Sequence, residues 1–278
     1  KTCSILEKFG VKISKIPVNK NGIIRISELK KSINKNTSLV SIMSVNNEIG
    51  TIQPIEEIIE ICNHNKILFH TDAIQAFGKI DLNYKKYKPH MASFSAHKIY
   101  GPKGVGALYI KKGIKLNPLI YGGSQEMQVR AGTENLSGIA GFAVAPKLAN
   151  ENLKNNFIKL NELSNKLKKA IFLNINNVKI LCNDSDQIPG FISLKLSGVN
   201  ANDLLIKLDI DGFGISTGAA CSSGANKTSS VLKAIGLDAK SASSVIRISL
   251  GKYTKETDLI SFVDSLSKNV KIIRNEKK

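Results

Sequence analysis

Short apolar runs alternate with segments of helical periodicity through the first half of the chain. Residues 38–44, 66–69 and 90–94 are apolar or β-branched runs of strand length. Between the first two runs, Pro54 opens a segment with an acidic first turn and apolar residues on one helix face. This alternation predicts βαβ units and a largely parallel sheet.

The second half changes to a different pattern. A long helical period fills residues 147–172. The later elements are predicted as strands at 178–181, 191–196 and 245–250, a helix at 201–208, and a last helix at 255–273 with Thr254 as its N-cap. The chain is therefore predicted to be an α/β protein with a large, mostly parallel domain at 1–146 and a smaller α+β domain at 147–278.

Polar residues follow several predicted strands. Asn47, Asp72 and the run from Ser95 to Lys98 each come just after an apolar run. In open α/β sheets, ligands bind at the carboxyl ends of the strands. Asp72 and Lys98 are 26 residues apart, about one strand–helix–strand unit, so we expect both to face one cleft.

These residue types suit one chemistry in combination. Lys98 can hold an aldehyde cofactor as a Schiff base, and a buried Asp72 can keep a pyridine nitrogen protonated. Cys221 lies among Gly, Ala and Ser, a composition typical of a mobile loop with an exposed thiol that accepts sulfur. Taken singly, a turn aspartate, a surface lysine and a buried structural cysteine are the plainer interpretations, and only the combination favours the site.

The net charge is +18, yet it does not predict a nucleic-acid-binding protein. The lysines are spread along the 278 residues, Trp is absent, and aromatic residues make up only 6%. Residues 84–88 interleave tyrosines with lysines, which is more typical of a solvated turn than of an RNA platform. Only four of the 40 basic residues are arginines, and Arg130 and Arg247 fall inside motifs, where a planar bidentate donor is indicated.

The cysteine pattern indicates a reducing compartment. The four cysteines, Cys3, Cys62, Cys182 and Cys221, form no CxxC pair. Cys62 with His64 and His70 matches no common metal spacing, so core packing is favoured and no metal is expected.

The ends of the chain bear on its location. No apolar run reaches the ~20 residues that span a bilayer, and no membrane association is expected. The chain opens at Lys1 on what is predicted to be the tail of a helix ending at Gly10, so it is interpreted as starting mid-domain. We predict a cytoplasmic protein, with organellar targeting left open.

Four motifs occur together and in order, and they resemble one family. They are FHTDAIQ at 69–75, SFSAHKIYGPKGVGALY at 93–109, RAGT at 130–133 and STGAACSS at 216–223. The chain is similar to the NifS-like cysteine desulfurases, which are pyridoxal phosphate enzymes of the class V aminotransferase group with fold type I. The similarity extends from VNNEIGTIQ at 45–53 to SVIRISLG at 244–251.

The resemblance implies a role for each matching residue. In that family pattern the cofactor is bound by Lys98 as the Schiff base, Asp72 at the pyridine nitrogen, Gln75 at the phenolic oxygen, Ser95 and His97 at the phosphate, and Thr133 at the phosphate of the other subunit of a homodimer. Asn47 and Arg247 match the pair that holds the substrate α-carboxylate, with Asn47 also beside the cofactor. Cys221 matches the cysteine that takes the sulfur.

The function that the resemblance implies is removal of sulfur from L-cysteine. The products are L-alanine and a persulfide on Cys221, which is passed to an iron–sulfur scaffold or to a tRNA-thiolation acceptor protein. The alternatives are a selenocysteine lyase-like enzyme, another fold-type I lyase or aminotransferase, and an inactive fragment that only binds an assembly partner. The last is motivated by two family motifs that precede position 1, a glycine-containing phosphate loop and a ring-stacking histidine; without them the chain resembles a truncated family member that lacks about the first quarter of the family length.

Overall fold

Two four-stranded sheets organise the chain, one in each half. The computed structural model describes residues 2–218 and 228–276. The strands are β1 (Leu39–Ser41), β2 (Leu68–Asp72), β3 (Met91–Ser95), β4 (Gly106–Ile110), β5 (Val178–Ile180), β6 (Phe191–Leu196), β7 (Ser216–Thr217) and β8 (Val245–Ser249). The helices are α1 (Thr2–Glu7), α2 (Ile26–Ser32), α3 (Ile55–His64), α4 (Leu136–Glu151), α5 (Leu153–Asn174), α6 (Ala201–Ile210), α7 (Ser230–Ala234), α8 (Ala239–Ala242) and α9 (Glu256–Asn275).

The first sheet has the strand order β1-β2-β3-β4. The β1–β2 and β2–β3 pairs are parallel, and β4 returns antiparallel to β3. Only residues 96–105 separate β3 from β4, which is too short for the crossover that a parallel pair needs. Helices α2 and α3 supply apolar residues to a core with β1 and β2, centred on the buried Phe69. The predicted mostly parallel sheet is confirmed.

The second sheet is antiparallel throughout, in the order β5-β6-β8-β7. Helices α5, α6 and α9 contribute their apolar faces to one large core with β5, β6 and β8. Leu194 of β6 and Leu266 of α9 are both fully buried in it. An antiparallel sheet with helices on one face is an α+β arrangement, as predicted from the sequence.

The segment predicted as one helix at 147–172 is two helices. The first, α4, begins earlier, at Leu136, and ends before Asn152, where the chain bends into α5. The side chain of Asn152 donates to the carbonyl of Leu148 at 2.9 Å, a local bond by which Asn competes with helical backbone pairing. The predicted domain boundary between 1–146 and 147–278 falls inside α4, which runs from Leu136 to Glu151. The division into these two domains stays a prediction.

The N-cap predicted at Thr254 is wrong. Helix α9 begins one residue later, and its first turn is held by Asp258, whose carboxylate accepts from the backbone N–H of Lys255 at 2.8 Å. Thr254 instead accepts from the backbone N–H of Gly251 at 3.0 Å, in the turn after β8.

The structure describes nine α-helices within residues 2–218 and 228–276. None of them is both long and apolar enough to cross a bilayer.

Candidate active site

Lys98 lies in a short 3₁₀ turn, Ala96–Ile99, directly after β3. Ala96 and Ile99 are buried at the two ends of this turn. They anchor it against the protein, so His97 and Lys98 between them line the adjacent cavity. Ser95 and His97, both predicted to bind phosphate, are hydrogen-bonded to each other: the Ser95 hydroxyl is 2.7 Å from His97 Nδ1.

Gln75 and Lys79 lie in a helical turn that follows β2. The glycine between them, Gly78, has φ +70°, and a Cβ there would lie 2.8 Å from Ile99 Cγ2 and 2.9 Å from Ala149 Cβ. The turn therefore packs directly on the Lys98 turn and on α4. Lys79 Nζ donates to Gln75 Oε1 at 2.8 Å. Sequence reasoning singled out Gln75 and missed Lys79, which is one lysine among many.

Asp72 is at the carboxyl end of β2, opposite Ser93 of β3. Its side chain is exposed. The physical reason is strand alternation, which turns Phe69 and Thr71 into the core and Asp72 away from it. Asp72 Oδ1 accepts from the backbone N–H of Ile74 at 3.0 Å, so the carboxylate also shapes the turn that leads to Gln75.

Arg247 comes from the interior of β8 in the second sheet. Its Nη1 donates to the backbone carbonyl of Asn47 at 2.7 Å, and its Nη2 donates to Ser216 Oγ at 3.0 Å. The structure thus brings together the two residues predicted to hold a carboxylate. The buried Arg247 Nε has no hydrogen-bond partner within residues 2–218 and 228–276.

A cavity of about 660 Å³ connects these elements. Its lining includes Gln75, Lys79, His97, Lys98 and Arg247, and no Asp or Glu of the described chain lines it. The Phe191 ring lies between two of the cations, 5.2 Å from Lys79 Nζ and 5.9 Å from Arg247 Cζ. A concave site with positive charge and no carboxylate attracts an anionic ligand.

The charge around this cavity changes the acidity of Lys79. Burial lowers the pKa of Lys79 to about 8, and the positive charges of Lys98 and Arg247 act in the same direction. The Lys79 ammonium therefore loses its proton at a lower pH than an exposed lysine does. No feature of the sequence separates it from the exposed lysines.

Glu48 is a second residue that sequence reasoning missed. Ser229, which caps α7, donates its hydroxyl to the Glu48 carboxylate. Burial raises the pKa of Glu48, while Ser229 and Arg247 oppose that rise. Glu48 therefore ties the start of α7 to the loop that carries Asn47.

Asn47, Asp72 and Ser95 do not contribute to the lining of this cavity, and two further predicted residues are also not placed in it. Thr133 is exposed in the loop that leads into α4 and does not contribute to the cavity lining. Cys221 lies outside the described residues. The chain before it, β7, pairs with β8 so that Ser216 is opposite Arg247, and Gly218 lines a small pocket with Glu48 and Arg247.

The cysteine and histidines considered as metal ligands have other roles in the structure. Cys62 is fully buried in the core of the first sheet, and burial raises the pKa of its thiol to about 11. His70 instead bridges strands, with its ring nitrogens 2.8 Å from Ser41 Oγ and 2.9 Å from Ser93 Oγ. In the part of the chain that the structure describes, no group of three His, Cys, Asp or Glu residues is arranged to hold a metal ion.

Comparison with known proteins gives concordant results. The family model described as "Aminotransferase class-V" matches residues 2–262. The chain is 42% identical over 272 residues to "Cysteine desulfurase IscS" of Dictyoglomus turgidum, covering 98% of this chain and 69% of that protein. It is 41% identical over 266 residues to "Cysteine desulfurase, mitosomal" of Encephalitozoon cuniculi, covering 94% of this chain and 60% of that protein.

Solved structures agree with these sequences. A structure named "NIFS-LIKE PROTEIN" superposes with a TM-score of 0.90 at 36% identity, covering 98% of this chain and 71% of that one. Another, "SspA in complex with cysteine", superposes with a TM-score of 0.77 at 33% identity, covering 91% of this chain and 70% of that one. These matches confirm the resemblance predicted from the motifs and the fold type. The chain belongs to the class V aminotransferase family and, within it, to the NifS-like cysteine desulfurases.

Proposed function

We propose that this protein is a pyridoxal phosphate-dependent cysteine desulfurase, which converts L-cysteine to L-alanine and transfers the sulfur to Cys221. The observation that carries the proposal is the cavity in which Lys98 from one sheet meets Arg247 from the other. The named desulfurases to which the chain is similar support the same activity.

The donor set of the cavity fits the cofactor. Pyridoxal phosphate carries an aldehyde, a phosphate and a phenolic oxygen, and the cavity offers an amine at Lys98, an imidazole at His97 and an amide at Gln75. Several cations without a lining carboxylate match the negative charge of the phosphate. When bound, the cofactor supplies an electron sink for the pair of electrons left by removal of the substrate Cα proton.

The chain's own residues then divide the work. Arg247 binds the substrate carboxylate, because its guanidinium carries five N–H donors and the bonds to Asn47 and Ser216 use only two of them. Asn47 is held beside it by the 2.7 Å bond to its carbonyl. Lys98, fixed by the buried ends of its turn, takes the Cα proton on Nζ. Asp72 would lie against the cofactor's pyridine nitrogen, and Ser95 and His97 would hold the phosphate.

Cys221 accepts the sulfur. Its thiolate attacks the substrate sulfur, a new S–S bond forms, and the bond between that sulfur and the substrate Cβ breaks, which leaves alanine after protonation. The strand that leads toward Cys221 pairs with the strand that carries Arg247, so the chain enters this segment beside the proposed carboxylate site.

The proposed assembly is a homodimer that delivers sulfur to an acceptor protein, such as an iron–sulfur scaffold or a tRNA-thiolation protein. Large apolar side chains are exposed in the segment before Thr133, and exposed apolar surface of this kind is typical of a protein interface. Leu119 is 97% exposed and Met127 is 91% exposed. In the dimer, Thr133 would reach the cofactor phosphate of the partner subunit.

The test uses the full-length protein loaded with pyridoxal phosphate. With L-cysteine we expect equal amounts of alanine and transferred sulfur, and a persulfide on Cys221 found by mass spectrometry. Cys221→Ala is expected to lose the persulfide, whereas Cys3→Ala, which alters an exposed cysteine, keeps it. Full sulfur release by Cys221→Ala would exclude the persulfide role, and turnover of selenocysteine alone would favour the lyase alternative.

A further inference from the structure

Lys79 is a cation of the cavity lining to which the proposed chemistry assigns no role. It is half-buried, and its Nζ is shared between Gln75 Oε1 at 2.8 Å and the Phe191 ring at 5.2 Å. An ammonium kept beside two other cations is electrostatically costly. A lysine in such a place needs a function or a strong local partner.

The chemistry of the two side chains fixes their orientation. A lysine ammonium has three donors and no acceptor, so the atom of Gln75 that faces it is the carbonyl oxygen. The NH₂ group of Gln75 therefore points away from Lys79. Within residues 2–218 and 228–276, Gln75 Nε2 donates no hydrogen bond, and Gln75 lines the cavity together with Lys98.

The position of the pair is also fixed relative to Lys98. Gly78 packs on Ile99 and Ala149 so closely that no side chain fits there. Ile99 follows Lys98 in the same 3₁₀ turn. Because Gln75 and Lys98 line the same cavity, a change in the orientation of the Gln75 amide would act on a ligand of Lys98.

We propose that Lys79 is a positioning residue that locks the Gln75 amide with its NH₂ donor toward the ligand of Lys98. This inference rests on the proposed function, in which an oxygen of that ligand accepts from Gln75. Without the Lys79 ammonium the amide is free to turn over and present its carbonyl oxygen, which repels an anionic oxygen. Lys79 also adds a positive charge near the ligand. Orientation of the Gln75 amide and the charge of Lys79 are two separate effects, and they predict different results in a double variant.

The signature is the titration of the cofactor-loaded protein, followed by its visible absorbance in the absence of substrate. With the cofactor bound, the titrating proton would be held on the Lys98 nitrogen beside the ligand's phenolic oxygen. A donor from Gln75 makes that oxygen a weaker acceptor, so the proton leaves at a lower pH. Loss of the donor raises the midpoint.

We expect Lys79→Met to raise the midpoint by about one pH unit, and Gln75→Ala to raise it by a similar amount. The double variant is expected to shift no further than the larger single change, because both remove the same interaction. Lys79→Arg keeps a donor and is expected to stay near the parent. Lys85→Met, an exposed lysine in a nearby turn, is the matched control.

Each result decides between explanations. An unchanged midpoint in Lys79→Met, with or without a lower melting temperature, assigns the residue a purely structural role and overturns the proposal. Fully additive shifts in the double variant make Lys79 a charge acting on its own, which also overturns it. If Lys79→Met does not fold, Lys79→Gln replaces it, since a neutral amide no longer dictates the orientation of Gln75.

The proposal and the function beneath it fail in different ways. If the parent protein takes up no pyridoxal phosphate, or takes it up equally well as Lys98→Ala, the proposed function falls and this inference with it. If the parent binds pyridoxal phosphate through Lys98 but the Lys79 variants have the same titration midpoint as the parent, the inference about Lys79 is wrong and the proposed function stands.

Discussion

The two sheets supply the proposed site in different ways. The first sheet places Asp72 at the end of a parallel strand, and it places Gln75 and Lys98 on the turns that follow such strands. The second sheet places Arg247 in the interior of an antiparallel strand, with ladder pairing on both sides at Ser193 and Ser216. The proposed reacting amine thus lies on a turn, and the proposed binding cation lies on a strand.

The two regions also differ in what supports them. The core of the second sheet joins three helices, α5, α6 and α9, with three strands. The core behind the first sheet is smaller and involves α2, α3 and two strands. The proposed carboxylate receptor thus rests on the larger core, whereas the proposed proton acceptor lies on a turn held by a few close contacts.

The largest effect is expected at the turn of the first sheet. Lys98→Ala removes the proposed proton acceptor, and we expect desulfurase activity to fall by at least ~100-fold, the low end of what general bases contribute. Lys103→Ala changes an exposed lysine in the same loop and serves as the control. Alanine production from L-cysteine is the measurement, and near-parent activity in Lys98→Ala would remove this turn from the chemistry.

The next effect tests the core beneath the second sheet. Leu194 is fully buried in β6 and pairs with Ile246, the residue before Arg247. Leu194→Ala is expected to lower the free energy of unfolding by about 2–5 kcal/mol, because it leaves a cavity in a close-packed core. Chemical denaturation measures this, and Leu173→Ala on the exposed side of α5 should stay within ~0.5 kcal/mol of the parent. Equal losses would mean that this core is looser than its packing indicates.

Arg247→Lys tests the receptor itself. A lysine keeps the charge but loses the planar fork that holds the Asn47 carbonyl and Ser216 Oγ. We expect the KM for L-cysteine to rise about 10-fold or more, since a hydrogen bond from a charged group contributes ~1.5–3 kcal/mol. Arg274→Lys, remote from the cavity, is the control. A fall in kcat at constant KM would argue that Arg247 acts in the chemical step instead.

Gly78→Ala tests how closely the first-sheet turns are packed. The new Cβ meets Ile99 and Ala149 and also occupies a backbone with φ +70°. Gly113→Ala shares the positive φ, at +93°, but has open space around it. We expect both to lose about 1 kcal/mol of stability from the backbone, with an additional loss, and weaker cofactor binding, only in Gly78→Ala. Identical behaviour of the two variants would show that the turn is not held by these contacts.

Much of this arrangement is readable from the sequence, for identifiable reasons. The strands were found because apolar runs are bounded by polar turns, and β6 was predicted at its observed bounds, Phe191–Leu196. Arg247 was found because arginine is rare in a chain dominated by lysine. Lys98 was found because its motif follows a strand.

Other features depend on tertiary contacts. The break at Asn152 was missed because the apolar period continues from α4 into α5 across it. The exposure of Asp72 follows from the alternation of β2, which was not weighed when its chemistry was inferred from the sequence. Lys79 was missed because its neighbours, Phe191 and Arg247, come from the other half of the chain.

The smallest expected effect is on the pH dependence of stability. The pKa of Lys79 in the folded protein is about 8, below the ordinary value of 10.5, so the folded state binds fewer protons there than the unfolded state. Its contribution to stability therefore rises as the pH increases from about 8 to 10.5. Unfolding free energies across this window should rise less steeply in Lys79→Met than in the parent, and parallel curves would contradict the lowered pKa.

The central claim is that the turn after β3, through Lys98, holds the cofactor. Its most direct test is to reduce the full-length protein with borohydride in the presence of pyridoxal phosphate and to identify the labelled peptide by mass spectrometry. Lys79 is an internal competitor, because it lines the same cavity and has a lowered pKa. The account predicts the label on Lys98; a label on Lys79 or on any other residue, or no label at all, would contradict it.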